Sequence, residues 1–263
     1  MRKARRPSDS RGARPGANRV RGRVWTAFRL FTAIGILGGF GYGLTTYVRE
    51  GDFFRVRRIR VAGASQLDVS AVVRQSRITS SDNLLFLDNQ AAARRVEENP
   101  YVSTCRITRV LPDTVEIVIE ERVPIATLLV HNRTFSISAD GVVIEEIPIA
   151  APHPGPLITD VPGLDVIEPG QRIDSPALPA AFAALSAFAH TDFSKTVTVS
   201  EVSARHENDI RMFCDELPFE IRWGRGDFTA QARRLDVLWK YKGKRLDFSE
   251  YCDLRFGRDV ACR

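Results

Sequence analysis

The sequence predicts an α+β protein built as a transmembrane helix, a β-α-α-β-β unit, and a β-rich unit that closes with a helix and an edge strand. Three observations carry that prediction. A 19-residue run, Leu30–Val48, holds no Asp, Glu, Lys or Arg. The next 70 or so residues switch between period-2 and helical apolar spacing in the order strand, helix, helix, strand, strand. Beyond Pro124 the pattern turns to short apolar runs separated by turn residues.

Composition is ordinary for a folded chain of 263 residues, with 44% hydrophobic and 27% charged residues. The formal charge of +6 is not spread over a folded surface. Residues 1–23 hold nine Lys or Arg (Arg2, Lys3, Arg5, Arg6, Arg11, Arg14, Arg19, Arg21, Arg23) against Asp9, a net +8, so the rest of the chain is near −2. A basic arm of this kind serves nucleic acid or sets membrane orientation. The run that follows selects the second. As a helix, Leu30–Val48 reaches about 28 Å, close to the hydrocarbon thickness of a bilayer. Trp25 and Tyr47 flank it as interface anchors, Arg29 lies at one edge, and Arg49, Glu50 and Asp52 close the other. The charged region is long for a cleaved leader, and small residues are not placed for cleavage after the apolar run. The expected organisation is therefore a basic cytoplasmic tail (1–28), a transmembrane helix (29–49), a first extracytoplasmic unit (50–123) and a second (124–263). Gly35, Gly39 and Gly43 recur every four residues on one face of the span, which lets a second helix approach closely.

In the first unit, Phe54–Gly63 reads FRVRRIRVAG, a strand with interleaved Arg that Gly63 ends. Leu67–Ile78 carries a short helix signal. Asp88 is a helix N-cap residue before Asn89–Glu98, and Asn99-Pro100 stops that helix. Tyr101–Val110 and Thr114–Arg122 are strands joined by the turn Leu111-Pro112-Asp113, with Val115, Ile117 and Ile119 on one face. Glu120, Glu121 and Arg122 read as a solvated strand face with one ion pair of little energetic value. In the second unit, Asn132-Arg133 and Asp140-Gly141 mark turns within Leu128–Glu146. A Pro-rich stretch follows. Ala177–Ala189 reads as a helix, Val197–Ala204, Ile210–Cys214 and Phe219–Trp223 as strands, and Asp227 as the N-cap of a helix carrying Phe228, Gln231, Leu235, Leu238 and Trp239. Tyr251–Phe256 reads as a last strand with Cys252, Leu254 and Phe256 on one face, and Asp253 and Arg255 are each expected to pair elsewhere.

The residues resemble a known family. Phe54, Val56, Ile59, Val61 and Gly63 match F-x-V-x-x-I-x-V-x-G, and Asn83–Asp88 match N-L-L-x-L-D. Pro100-Tyr101-Val102 follow, then Cys105, Ile107, Arg109 and Pro112-Asp113-Thr114, then Glu121, Arg122, Pro124 and Ala126. This series, directly after one span, is similar to the POTRA domain of the FtsQ/DivIB bacterial cell-division family. In the second unit Ser138, Gly141 and Val142-Val143-Ile144 resemble the family's hairpin, Trp223-Gly224-Arg225 its strand-to-helix turn, and Asp253-Leu254-Arg255 its carboxy-terminal signature. The tandem repeats and β-barrel that accompany POTRA domains of outer-membrane assembly proteins are not seen in this sequence.

The resemblance implies a non-enzymatic divisome scaffold in the cell inner membrane, type II and single-pass, with its amino terminus cytoplasmic and its extracytoplasmic part at the division septum. It implies binding to FtsB/FtsL-type proteins and other divisome membrane proteins, coupled to septal peptidoglycan synthesis. By position the partner surface is Arg255, Phe256 and Gly257, with Phe256 as the aromatic anchor and strand addition as the mode. No aromatic follows Phe256 here, which departs from the family. A chaperone or translocation accessory for extracytoplasmic clients is the competing function. No catalytic, cofactor or metal site is expected: His131, His153, His190 and His206 lack ligand spacing, and no nucleophile elbow or phosphate loop occurs. Arg225-Gly226-Asp227 reads as a helix start rather than an adhesion tripeptide. Cys105 reads as an unreactive core thiol, and an oxidising compartment permits Cys214–Cys252 or Cys252–Cys262.

Overall fold

A computed structural model describes residues 29–43 and 52–263. The expected cytoplasmic tail and the outer end of the expected span lie outside the described residues. Residues 29–43 form helix α1, and its large apolar side chains, among them Phe31, Leu37 and Phe40, are all exposed. Among the described residues no helix is long and apolar enough to cross a membrane.

The first unit has the expected order. Strand β1 (Arg58–Ala62) is followed by helices α2 (Val69–Ser76) and α3 (Asn89–Glu97), then by β2 (Val102–Val110) and β3 (Thr114–Glu121). The strands lie in the order β1-β3-β2, with β3 parallel to β1 and antiparallel to β2. Both helices start where a carboxylate caps them: Asp68 accepts from Ser70 N and Asp88 from Ala91 N. Helix α2 stops at Arg77, which turns left-handed at φ 56°. The alternation of β3 buries Val115, Ile117 and Ile119 against Val72, Leu84, Ala92 and Val96. At the end of β1 a Cβ on Gly63 would stand 1.9 Å from the Ile119 carbonyl oxygen, and φ is +86°, so only glycine lets the chain leave over β3.

The chain then passes over Glu121, and here the expectation of a solvated acidic face holds for the exposed Glu120 but not for Glu121. The Glu121 carboxylate accepts the backbone N–H groups of Ser65 (2.8 Å), Gln66 (3.0 Å) and Leu67 (2.8 Å) and the Ser65 hydroxyl (2.6 Å). Three successive backbone N–H groups of the loop before α2 thus converge on this one side chain. Arg122 is not a surface ion-pair residue either. Its side chain is only 12% exposed and donates to the Pro100 (3.0 Å) and Val102 (2.5 Å) carbonyls while reaching Asp140 of the second unit at 3.4 Å. Arg172 joins the same carboxylate at 3.1 Å.

The second unit is one sheet, nine-stranded among the described residues. Its strands are β4 (Pro124–Val130), β5 (Arg133–Ser138), β6 (Val143–Ile147), β7 (Leu157–Thr159), β8 (Val199–His206), β9 (Asp209–Cys214), β10 (Glu220–Trp223), β11 (Tyr251–Asp253) and β12 (Ala261–Cys262). They lie in the order β12-β11-β10-β9-β8-β7-β4-β5-β6. Helices α4 (Ala177–Ala189) and α5 (Phe228–Tyr241) pack against each other, and α4 also lies on β8 and β9. Ala181 and Ala184 are fully buried on α4, and their small side chains let it approach the sheet closely. The β4–β5 turn is His131-Asn132, at φ 46° and 63°, one residue before the expected position. Two left-handed residues match the twist of a two-residue hairpin loop.

Two strands were not anticipated. β7 sits inside the Pro-rich stretch, pairs in parallel with both β4 and β8, and joins the two halves of the sheet. β12 pairs antiparallel with β11 and takes the edge position. The last strand expected at 251–256 is a correction as well: it ends at Asp253, and β11 is an interior strand.

The hydrogen bonds from Ser65 and then from Leu67 hold the Glu121 carboxyl down at about 2, against an ordinary value of 4.5. A depressed carboxyl contributes stability above its unfolded-state value and loses it as pH falls through the folded one. Glu121→Gln is therefore expected to lower the thermal unfolding midpoint at pH 7. The gap between wild type and variant should close as pH falls from about 4.5 to about 2. A constant gap across that window would contradict this account.

Candidate functional site

The carboxy-terminal end of the sheet is where the expected partner residues lie, and it is built on a glycine. β10 ends at Trp223, which is fully buried, and the chain turns through Gly224 into α5. Gln231, one turn into α5, grips that glycine from both sides: its Oε1 accepts from Gly224 N and its Nε2 donates to Gly224 O, each at 3.1 Å. Asp227 caps α5 by accepting from Ala230 N, so Arg225-Gly226-Asp227 is a helix start, as expected. A Cβ on Gly224 would lie 2.5 Å from Cγ of Arg255. The missing side chain is the space through which Arg255 crosses.

Asp253 and Arg255 were each expected to pair elsewhere, and instead they pair with each other, as residues two apart along one side of the chain can. β11 stops at Asp253, the chain bends, and the Arg255 guanidinium folds back onto the Asp253 carboxylate at 2.6 Å. Arg255 N also donates to Asp253 Oδ1 at 3.0 Å, which makes the bend. The Asp253 side chain is 3% exposed. Burial alone would push its carboxyl up, but the bonds from Arg255 outweigh it and hold it below the ordinary range. Arg255 also reaches Asp209 on β9 at 3.3 Å. Arg234 of α5 donates to the Leu254 carbonyl (2.7 Å) and to that of Gly257, and Leu254 N bonds to Arg222 O at 2.9 Å. Leu254 is fully buried.

The three expected partner residues therefore divide. The charged end of Arg255 is engaged by Asp253 and Asp209, although the side chain stays 36% exposed. Phe256 and Gly257 (φ +35°) sit in the bend between β11 and β12, and Phe256 is 56% exposed rather than packed with Cys252 and Leu254. Beside this bend runs a groove of about 460 Å³, lined by Arg233, Arg234, Val237, Leu238 and Tyr241 of α5 and by Arg258, Asp259 and Val260, so that three arginines face one acid. Val237 and Tyr241 are exposed on the helix face opposite Leu235 and Trp239. The sequence reading passed over them, although two apolar residues at i and i+4 off the core face were signal enough.

At the edge itself, Arg263 N donates to Tyr251 O at 3.0 Å, which makes Tyr251–Arg263 a hydrogen-bonded pair of the ladder. Cys252–Cys262 is then a non-hydrogen-bonded pair, so the Cys262 backbone N–H and C=O face away from the sheet. The same two cysteines are disulfide-bonded, which selects one of the two pairings left open above. Cys214 is buried and its thiol is pushed up to about 12 by that burial, while the half-buried Cys105 rises to about 11. On α1, a Cβ added at Gly35, Gly39 or Gly43 would meet no atom within 4 Å. Among the described residues no group of three or more His, Cys, Asp or Glu is arranged to hold a metal ion.

Two outcomes test this architecture. Asp253→Asn leaves Arg255 with its main partner gone. A fully buried pair would cost more, but Arg255 is 36% exposed, so we expect a loss of about 2 kcal/mol in urea unfolding. A change within error would contradict the role given to the pair. Peptide mass mapping without reductant is expected to recover Cys252 linked to Cys262, with Cys105 and Cys214 as free thiols.

Comparison with known proteins bears on the whole chain. Residues 54–122 match a family described as POTRA domain, FtsQ-type. The chain is similar to the cell division protein FtsQ of Geotalea daltonii, 24% identical over 230 residues that cover 86% of this chain and 82% of that one. It is similar to FtsQ of Syntrophotalea carbinolica, 22% identical over 259 residues, or 98% of this chain and 91% of the relative. It is also similar to the cell division protein DivIB of Clostridium botulinum, 26% identical over 103 residues, 39% of this chain and 40% of that one. The FtsQ-type unit at 54–122, followed by a second unit that these alignments also span, shows that the chain belongs to the FtsQ/DivIB family of bacterial cell division proteins.

Proposed function

We propose that this chain is a non-enzymatic scaffold of the division septum that gathers FtsB/FtsL-type proteins and couples their assembly to septal peptidoglycan synthesis. In this reading residues 1–28 are cytoplasmic, 29–49 cross the inner membrane, 50–123 are the POTRA unit, and 124–263 are the extracytoplasmic partner-binding unit. The observation that carries the binding mode is the end of the nine-stranded sheet. A two-residue edge strand presents the outward backbone groups of Cys262, and the exposed Phe256 and the apolar, basic groove of α5 stand beside it. A partner segment adds a strand at that edge, with main-chain hydrogen bonds supplying affinity and side chains supplying selectivity. Phe256 is the aromatic anchor, Gly257 lets the chain bend beneath it, and Arg255 holds the bend in place. Arg233 and Arg258 favour acidic residues on the partner. Gly35, Gly39 and Gly43 give the span a flat face for a partner helix.

The test is recovery of FtsB-like and FtsL-like partners by the full-length chain in detergent. Phe256→Lys is expected to weaken binding by about 30-fold or more, the loss typical of an interface anchor. Equal recovery by wild type and variant would remove the assignment. Recovery of unfolded outer-membrane precursors instead, with even distribution of a tagged copy round dividing cells, would favour the chaperone function.

A further inference from the structure

Three segments meet at the end of the POTRA unit where the chain enters it. They are Phe53–Arg58, the loop 83–87 and the tip of the β2–β3 hairpin, 110–113. Backbone bonds tie them together: Leu84 N to Phe54 O at 2.7 Å, Val56 N to Asp82 O at 3.0 Å, and Arg57 N to Asp113 O at 2.8 Å. Arg109 pins the loop from β2, donating to Leu87 O (2.5 Å) and Asn89 Oδ1 (3.2 Å). The result is one firm plate.

Its surface is unusual for a solvated one. Phe53 (69%), Leu111 (60%), Phe86 (53%) and Val110 (41%) are all exposed. Single exposed apolar side chains are common, but four gathered at one end of a small unit mark an interaction surface. Arg55, Arg57, Arg58 and Arg109 are exposed among them. Three acids nearby, Asp82, Asp88 and Asp113, are engaged with the fold. Asp113 pairs with Arg58 at 2.9 Å, Asp82 accepts from Thr79 N at 2.7 Å, and Asp88 caps α3.

Tether length selects the occupant. Only residues 44–51 separate α1 from Asp52, so even fully extended they place this plate within on the order of 30 Å of the helix end. The rest of the folded chain lies farther along the sequence. We propose that the plate seats on the bilayer surface and takes anionic phospholipid headgroups: Phe53, Phe86 and Leu111 enter the interfacial layer, and Arg55 and Arg57 meet the phosphates. Guanidinium groups suit this role because they bond phosphate oxygens in pairs, and basic residues near an anionic surface are drawn to it. The inference rests on residues 29–49 spanning the membrane. It adds a second, independent contact that fixes how the POTRA unit stands on the bilayer.

The experiment uses the full chain with Cys105→Ser and Cys214→Ser, reconstituted into vesicles that carry a headgroup nitroxide lipid. A fluorophore is attached at Ser81→Cys beside the plate or, as a control, at Glu207→Cys on the β8–β9 turn. Strong quenching at 81 and none at 207 is expected in phosphatidylglycerol vesicles. Arg55→Glu with Arg57→Glu, or Phe86→Ser with Leu111→Ser, should bring quenching at 81 down to the control. Chain that floats with the vesicles yet shows equal weak quenching at both positions overturns the seating and leaves another protein as the occupant. Full quenching in pure phosphatidylcholine, unchanged by the arginine substitutions, overturns the choice of anionic headgroup. Chain that does not float overturns the membrane span, and this inference with it.

Discussion

The carboxy-terminal half of the protein depends on one ion pair laid across one glycine. Asp253 is almost fully buried, and a buried carboxylate is tolerable only when its charge is met and its lone pairs are filled. Arg255 meets it, but it reaches that position only because Gly224 has no side chain. Gly224 is in turn held by both polar ends of Gln231. The start of α5, the end of β10 and the bend after β11 are thus one mechanical unit. Remove any member and the edge of the sheet loses its position, because β12 has only two residues of ladder with which to hold itself.

A second polar knot performs the same service between the two units. Arg122 leaves the end of β3, closes off the Pro100 and Val102 carbonyls, and meets Asp140 together with Arg172. Asp140 is partly sheltered, and its carboxyl is kept charged by Ser138 and the two arginines against the upward pull of burial. The two hydrophobic cores contain different residues, and the contacts that cross between the units here include the Arg122–Asp140 pair and the approach of the Pro100 ring to Gly170.

Much of this was legible in the sequence, and the boundary of legibility is physical. The POTRA unit could be read largely from sequence because its signals are local: the cap Asp88, the stop at Asn99-Pro100, and the alternation of Val115, Ile117 and Ile119. Helix α4 matched its expected ends because an Ala-rich run between Pro176 and His190 has few alternatives. β7 and β12 escaped because three- and two-residue strands carry no period. The Asp253–Arg255 pair was missed although residues two apart on a strand share a face. The Glu121 carboxylate was misread because alternation along a strand says which way a side chain leaves the backbone, and it cannot say which backbone groups will reach it. Gln231 was seen as one more residue on a helical face, whereas its work is done on a backbone seven residues earlier. Phe256 was assigned by its position in the family motif, and its exposure follows from the bend rather than from any pattern in the residues around it.

The disulfide between Cys252 and Cys262 has a consequence for load. A two-residue strand at a sheet margin is the first piece to peel when a bound segment is tugged, because its ladder bonds open one after another like a zipper. A covalent rung between β11 and β12 removes that mode. Tension applied at the margin must instead shear β11 out of the sheet, against its parallel pairing with β10, the buried Leu254 and the two carbonyl bonds from Arg234. The weakest-looking strand in the molecule is thereby the one whose detachment requires dismantling the interior beside it.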